Sequence, residues 1–234
     1  MENVWLQPVV DNYRKFFGDK DAKVVIDIGT RDGDDAEFLR EKLSAEKVLA
    51  IDANPIAVEK TAEKYPSFRV LHSAISDTSG KLVRFYQVNS GDKNLDGCSS
   101  IFADKIIREQ IFEDKYTIID VPIERMDAVL ENFNLLDKLI DVVKVDIEGF
   151  TYQCVIGFGL QVKNVKIFHL ETEKAATHTE HKGNVEVAKL MRKLGFVLVD
   201  LSYEWGPGIQ DQVWINRALA DADVLKDFSE LREK

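Results

Sequence analysis

The chain has 234 residues, 45% of them hydrophobic, enough for one large domain with an ordinary core and too few for two full ones. Thirty-one basic against 41 acidic residues leave a net charge of −10, which repels polyanions at long range and argues against nucleic acid or an anionic membrane surface as a partner. No run approaches the ~20 apolar residues of a membrane span, the first residues do not read as a secretory signal, and Cys98 and Cys154 form no C-x-x-C pair, so a cytoplasmic protein with reduced thiols is expected.

In chain order, residues 1–22 read as an N-terminal helical extension, residues 23–217 as one ligand-binding domain, and residues 218–234 as a C-terminal helical tail with Leu225, Phe228 and Leu231 on one face. Within the domain, short β-branched runs alternate with helical patterns, the mark of a mostly parallel sheet with helices on both faces. Strands are expected at 24–28 and 48–51, apolar on consecutive positions as strands buried on both faces should be. Helices are expected at 35–43 and 56–65, the second with Pro55 in its first turn. A third strand follows at 68–75. Residues 82–88 and 116–123 read as two added strands around a polar loop and a helix at 101–112. Alternation resumes with strands at 139–145, 166–170, 196–201 and 212–215, and with helices through Val155 and at 184–194. Seven core strands result.

In open parallel sheets the ligand sits beyond the carboxyl ends of the strands, where the first strand turns into its helix. The segment VVIDIGTRDG occupies that place. Its Asp27, Gly29 and Gly33 depart from the dinucleotide fingerprint, in which glycines bring the backbone against a pyrophosphate. Arg31 stands at the third position of that pattern, and Asp32, Asp34 and Asp35 follow. A unit pair at 4 Å is worth about 4 kcal/mol at intermediate dielectric, so this turn disfavours a phosphate. S-adenosylmethionine carries a sulfonium, an ammonium and no phosphate, and suits an acid-rich cleft. The acids also favour a helix N-terminus, which accounts for some of them.

Asp52 ends the second strand, where an acid can accept both hydroxyl hydrogens of an adenosine ribose. Nicotinamide and adenosylmethionine sites share that device, so Asp52 alone does not choose between them. The expected donor site comprises Asp27, Gly29, Thr30, Arg31, Gly33, Asp52 and Ala53, with Ser73 and Ala74 bordering the adenine and Asp146 at the methionine end.

The segment VVKVDIEGFTYQCVIGFG closely resembles the signature of the FkbM-type methyltransferase family, on Lys144, Asp146, Glu148, Gly149 and Gly157. VVIDIGTRDG, HSAISDTSG, the CSS at 98–100 and FHLE at 168–171 add to the likeness, which spans most of residues 24–216. The resemblance implies a class I, Rossmann-like α/β methyltransferase fold with a seven-stranded mostly parallel sheet and an antiparallel last strand. It also implies that the chain binds S-adenosylmethionine and moves the methyl group, usually to a hydroxyl oxygen.

Methyl transfer from a sulfonium chiefly requires alignment of acceptor, methyl and sulfur, and a base where the acceptor must lose a proton. Asp146 and Glu148 stand two residues apart after the fourth strand, on one side if the chain stays extended. Glu148 is the better candidate base. Lys144 between buried strands needs a carboxylate, with Asp27 or Glu148 as partner. Glu171 and His178 complete the catalytic candidates. Asp146, Glu171 and the histidines offer oxygen and nitrogen ligands for a divalent metal, but H-x-x-H spacing in a polar loop is common, and no metal is expected. A small-molecule or saccharide hydroxyl is the expected acceptor. The rivals are a nicotinamide-dependent oxidoreductase and a non-catalytic S-adenosylmethionine-binding module.

Overall fold

A computed structural model describes residues 4–88, 99–101, 116–173, 182–204 and 208–232. The expected helix at 101–112, Cys98, His178 and His181 lie almost wholly or entirely outside the described residues.

The centre of the molecule is β1 (Val24–Ile28), buried at every position because sheet neighbours flank it and helical layers cover both its faces. It pairs in parallel with β2 (Lys47–Asp52) on one side and β7 (Ile140–Val145) on the other. With β3 (Arg69–His72), β8 (Val165–Glu173), β9 (Phe196–Glu204) and β10 (Ile209–Asn216) they form a seven-stranded sheet in the order β3-β2-β1-β7-β8-β10-β9. Only β10 runs against its neighbours, as expected of the last strand. The order reverses between β1 and β7, so the connections leave in opposite directions and open a crevice at the carboxyl edge.

Chemistry at the ends defines the two helices that flank the crevice. α2 (Asp34–Leu43) starts after Gly33, whose φ of 80° is a left-handed conformation that suits glycine, and it carries Asp34, Asp35 and Glu37 in its first turn. α3 (Pro55–Lys64) is capped by the Asn54 side chain, which accepts from the Ile56 N–H at 3.0 Å, with Pro55 where a helix needs no donor.

The expected single strand at 68–75 is two. The chain leaves the main sheet at Ser73, whose N–H still donates to the Asp52 carbonyl at 3.0 Å while its hydroxyl donates to the Ala74 and Pro122 carbonyls. β4 (Ala74–Ser76) then joins a second, three-stranded sheet with β5 (Lys81–Val88) and β6 (Tyr116–Arg125), the two added strands of the sequence reading. A short helix unforeseen in the sequence, α4 (Met126–Asn132), follows and buries Met126, Val129 and Leu130. α5 (Thr151–Gly157) packs on β4 so closely that a Cβ at Gly157 would lie 2.1 Å from the Ser76 carbonyl oxygen.

One face of the main sheet is covered by α1 (Gln7–Phe17), α2 and α7 (Ala222–Arg232), the other by α4, α5 and α6 (Asn184–Lys193). α1 buries Val9, Val10, Tyr13 and Phe16. It is tied to the amino edge of the sheet through Asp141, which accepts from the Tyr13 hydroxyl at 2.8 Å, the Lys166 ammonium at 2.6 Å, and the Lys23 and Val24 N–H groups. Its first turn lies about 9 Å from Tyr13 along the helix axis, six residues at 1.5 Å each, and Trp5 just before it lines a cavity at the opposite, carboxyl edge. Among the described residues, no helix is long and apolar enough to cross a membrane.

Candidate active site

The crevice is a cavity of about 290 Å³ at the carboxyl ends of β2, β1, β7 and β8. Its walls carry Asp32, Asp35, Asp52, Asp146, Glu148 and Glu171 against two cations, Arg31 and Lys144. The cavity is thus strongly negative among the described residues.

The β1 turn is shaped by its neighbours before any ligand is considered. A Cβ at Gly29, where φ is 84°, would sit 1.7 Å from the Asp146 carbonyl oxygen, so glycine is required by the approach of the loop after β7. A Cβ at Gly33 would strike the Tyr65 ring. Arg31 takes the left-handed conformation too, at φ 56°, and its N–H donates to Asp52 Oδ2 at 2.9 Å. The other Asp52 oxygen accepts from the Asn54 N–H at 2.8 Å. Burial raises the Asp52 pKa despite these two donors. The carboxylate is held rigid, and each oxygen keeps acceptor capacity toward the cavity. Gly29, Thr30, Arg31, Ala53, Ser73 and Ala74 all line the same cavity as Asp52.

Asp27 and Asp34 lie elsewhere. Asp27 is fully buried beneath the cavity rather than on its wall. Its ladder position is opposite Lys144, which in turn is opposite His169, giving one lateral polar row across three strands. Thr30 donates to Asp27 Oδ2 at 2.8 Å, and Lys144 lies 3.4 Å from Oδ1. Burial pushes the Asp27 carboxyl up to about 6, against the pull of Lys144. Asp34 turns away from the crevice to the Lys64 ammonium and the Tyr65 hydroxyl.

Lys144 is the hub of the site. Only 3% exposed, it reaches Asp27, Asp35 at 3.2 Å and Asp146 at 3.4 Å. Burial alone would lower its pKa; the three carboxylates outweigh it and raise the value well above normal. One of the two partners expected for it is present, Asp27, and two unforeseen ones join it. Asp35, which composition offered as a helix-end charge, is the α2 contribution to this cluster.

The chain does not stay extended after β7. Glu148 has φ 50° and Gly149 φ 90°, a turn, and this turn, not strand alternation, brings the carboxylates together. Oxygens of Asp146, Glu148 and Glu171 all lie within 4.8 Å of one another. The turn is held by Ser100, buried, whose hydroxyl donates to the Glu148 carbonyl at 3.0 Å while its backbone pairs with Tyr86. Thr151 at the start of α5 donates to the Glu171 carbonyl at 2.8 Å. Burial, then the charges of Asp146, Glu148 and Asp211, hold the Glu171 carboxyl well above the usual range, with Lys144 opposing. His169, two residues earlier, is buried rather than at the ligand edge, and burial beside Lys144 lowers its pKa to about 3.

Residues absent from the sequence reading also line the cavity: Trp5, Phe85, Phe150 and Ile209. No motif marks Trp5, Phe85 or Ile209, and Phe150 follows the signature glycine at 149 without being one of the matching residues. Their placement comes from long-range packing of α1 and β10 and from the turn into α5.

Residues 27–198 match the model of the methyltransferase FkbM domain. The chain belongs to this family. It is accordingly an S-adenosylmethionine-dependent methyltransferase domain, and the cavity fits that cofactor: an anchored acid at the tip of β2, small residues beside it, and no excess of cations to receive a phosphate. Solved structures similar to this chain include an N-methyltransferase, NodS, from Bradyrhizobium japonicum WM9, at 10% identity, covering 92% of this chain and 98% of that one, with a TM-score of 0.47. A rRNA methylase from Streptococcus thermophilus is similar at 9% identity over 92% and 98%, TM-score 0.44. Magnesium protoporphyrin IX methyltransferase (ChlM) from Synechocystis PCC 6803 with bound SAM is similar at 10% over 90% and 77%, TM-score 0.45. Likeness at this level carries nothing about the acceptor. No curated protein matches the chain.

Proposed function

We propose that this FkbM-family domain transfers the methyl group of S-adenosylmethionine to a hydroxyl oxygen on a small molecule or saccharide. The convergence of Asp146, Glu148 and Glu171 on the cavity beside Lys144 carries this reading. A hydroxyl acceptor must lose a proton as the methyl arrives, and a carboxylate within reach supplies the base.

S-adenosylmethionine, when bound, supplies an electrophilic methyl on a sulfonium. The chain's own residues do the rest. Asp52 accepts the ribose hydroxyls, the Gly29–Arg31 turn supports the donor, Ser73 and Ala74 border the adenine, and Asp146 faces the methionine end. Glu148, on the turn pinned by Ser100, takes the acceptor proton. Burial and the neighbouring acids hold the Glu171 carboxyl well above the usual range, so the protonated form of Glu171 is favoured and its repulsion toward Asp146 and Glu148 is reduced. Asp27, below the cavity, acts through Lys144 and Thr30 rather than on the donor directly.

Incubation with S-adenosylmethionine and a panel of alcohols, phenols, sugars and amines, followed by mass spectrometry, tests the reading. Methylation of a hydroxyl compound is expected, and methylation confined to amines would overturn it. Excess chelator is expected to leave turnover unchanged, since Lys144 already places a cation 3.4 Å from the Asp146 carboxylate. Loss of turnover restored by magnesium would instead assign the three carboxylates to a cation.

A further inference from the structure

The match to the family model ends at residues 27 and 198, and the cavity has lining residues beyond both limits. They are Trp5 and Ile209. Every donor-side residue, from Gly29 to Ala74, lies within the matched span. The residues outside it stand on the other half of the crevice.

The topology fixes that half. Ile209 is opposite Glu173 on the β8–β10 ladder, two positions beyond the pair Asp211 and Glu171, which places it at the rim beside Glu171. Trp5 precedes α1, which Tyr13 and Asp141 tie to the amino edge of the sheet from the helix's middle, and Trp5 itself lines the crevice at the carboxyl edge. Trp5 packs against the cluster built by α1, α2 and β10, on the face that also carries Lys144 and Asp35. β7, β8 and β10 lie on the opposite side of β1 from Asp52, and α1, which follows Trp5, packs against β8 and β9. Trp5 and Ile209 therefore belong to the half of the crevice away from the donor's ribose end.

We infer that Trp5 and Ile209 are specificity-determining residues that form an apolar acceptor wall, and that the acceptor is a hydroxyl compound with a flat, apolar body and no anionic group. This rests on the methyltransferase reading and refines its acceptor. An indole and an isoleucine present a wide apolar surface, which removes water from a flat ring at roughly 25 cal/mol per Å². Phe150, two residues after Glu148, lines the same cavity. The acids beside it exclude an anionic acceptor by repulsion. A free sugar, hydrated around its whole ring, has no face of comparable apolarity to offer.

Isothermal titration of 1-naphthol into the complex of the full chain with S-adenosylhomocysteine is the test. Binding is expected in the wild type. Trp5→Ala is expected to weaken it about tenfold and Ile209→Asp by a similar factor, while Trp5→Phe, which keeps an aromatic packed on α1, loses little. Titration of S-adenosylhomocysteine alone is expected to give the same affinity in all four proteins. Absence of 1-naphthol binding, or equal binding by Trp5→Ala with donor-product affinity intact, would overturn the inference. So would glucose binding more tightly than 1-naphthol. Failure of S-adenosylhomocysteine to bind even the wild type would instead strike at the methyltransferase reading beneath it.

Discussion

Asp52 and Glu148 divide the work of the site at the scale of single side chains. Asp52 is fixed by two backbone N–H groups and faces the donor half, so Asp52→Ala removes charge-assisted hydrogen bonds of about 1.5–3 kcal/mol. S-adenosylhomocysteine affinity should fall roughly 10- to 100-fold, measured by calorimetry. Glu148→Ala should leave that affinity within about twofold and lower kcat by roughly 10²-fold or more. Equal loss of donor affinity in both variants would contradict this division. The positions of Asp52, Glu148 and Glu171 were legible in the sequence because each follows a short apolar strand, and strand ends meet at one edge of a parallel sheet. Lys144 was legible as a buried charge needing a carboxylate. The role of Gly29 was only half legible: a glycine after β1 signals a close approach, but the group that approaches first is the Asp146 carbonyl. Trp5 was not legible at all, since nothing local in MENVW says where a preceding segment will be carried by a helix that docks on distant strands.

Between elements, the strongest tie is the amino-edge network around Asp141. Four donors from α1, β1 and β8 converge on one carboxylate that is 1% exposed. Asp141→Ala removes the acceptor shared by these four donors and leaves the Lys166 ammonium with the Tyr13 hydroxyl but no counter-charge. It should destabilise the chain by about 3 kcal/mol in urea denaturation. Tyr13→Phe should cost about 1 kcal/mol, and a negligible effect of both would show that α1 is held by its apolar face alone. The residues 1–22, read from sequence as an extension, contribute Leu6, Val9, Val10, Tyr13 and Phe16 to the same buried cluster as Val25, Val142 and Ile167. Periodicity revealed the core strands because burial on both faces imposes unbroken apolar runs. It merged β3 with β4, since the break at Ser73 changes sheet without changing polarity: Ala74, Ile75 and Ser76 are buried in the second sheet as they would be in the first.

Over the whole molecule, buried ionisable groups couple stability to pH in two opposing senses. His169 has its pKa lowered from 6.5 to about 3, so below pH 6.5 the unfolded chain takes up a proton that the folded chain refuses, and stability falls with acidification. Asp27, raised from 3.8 to about 6, takes up its proton in the folded chain first, and stability gains as the pH falls through that window. Replacing His169 by Gln removes the first effect only. The stability of His169→Gln relative to wild type should therefore rise steadily from pH 6.5 to pH 4, by up to ~1.4 kcal/mol per pH unit. A constant difference in urea denaturation across that range would contradict the buried, neutral state of His169.

The same charge balance governs what the crevice admits. Six carboxylates and two cations line it, and the sheet reversal between β1 and β7 places it where such folds bind their ligands. Calorimetric titration of the wild-type chain with S-adenosylmethionine and with NAD puts this to the most direct test. Saturable binding of S-adenosylmethionine, lost in Asp52→Ala, with no heat from NAD, is the predicted result; tighter binding of NAD than of S-adenosylmethionine would contradict it.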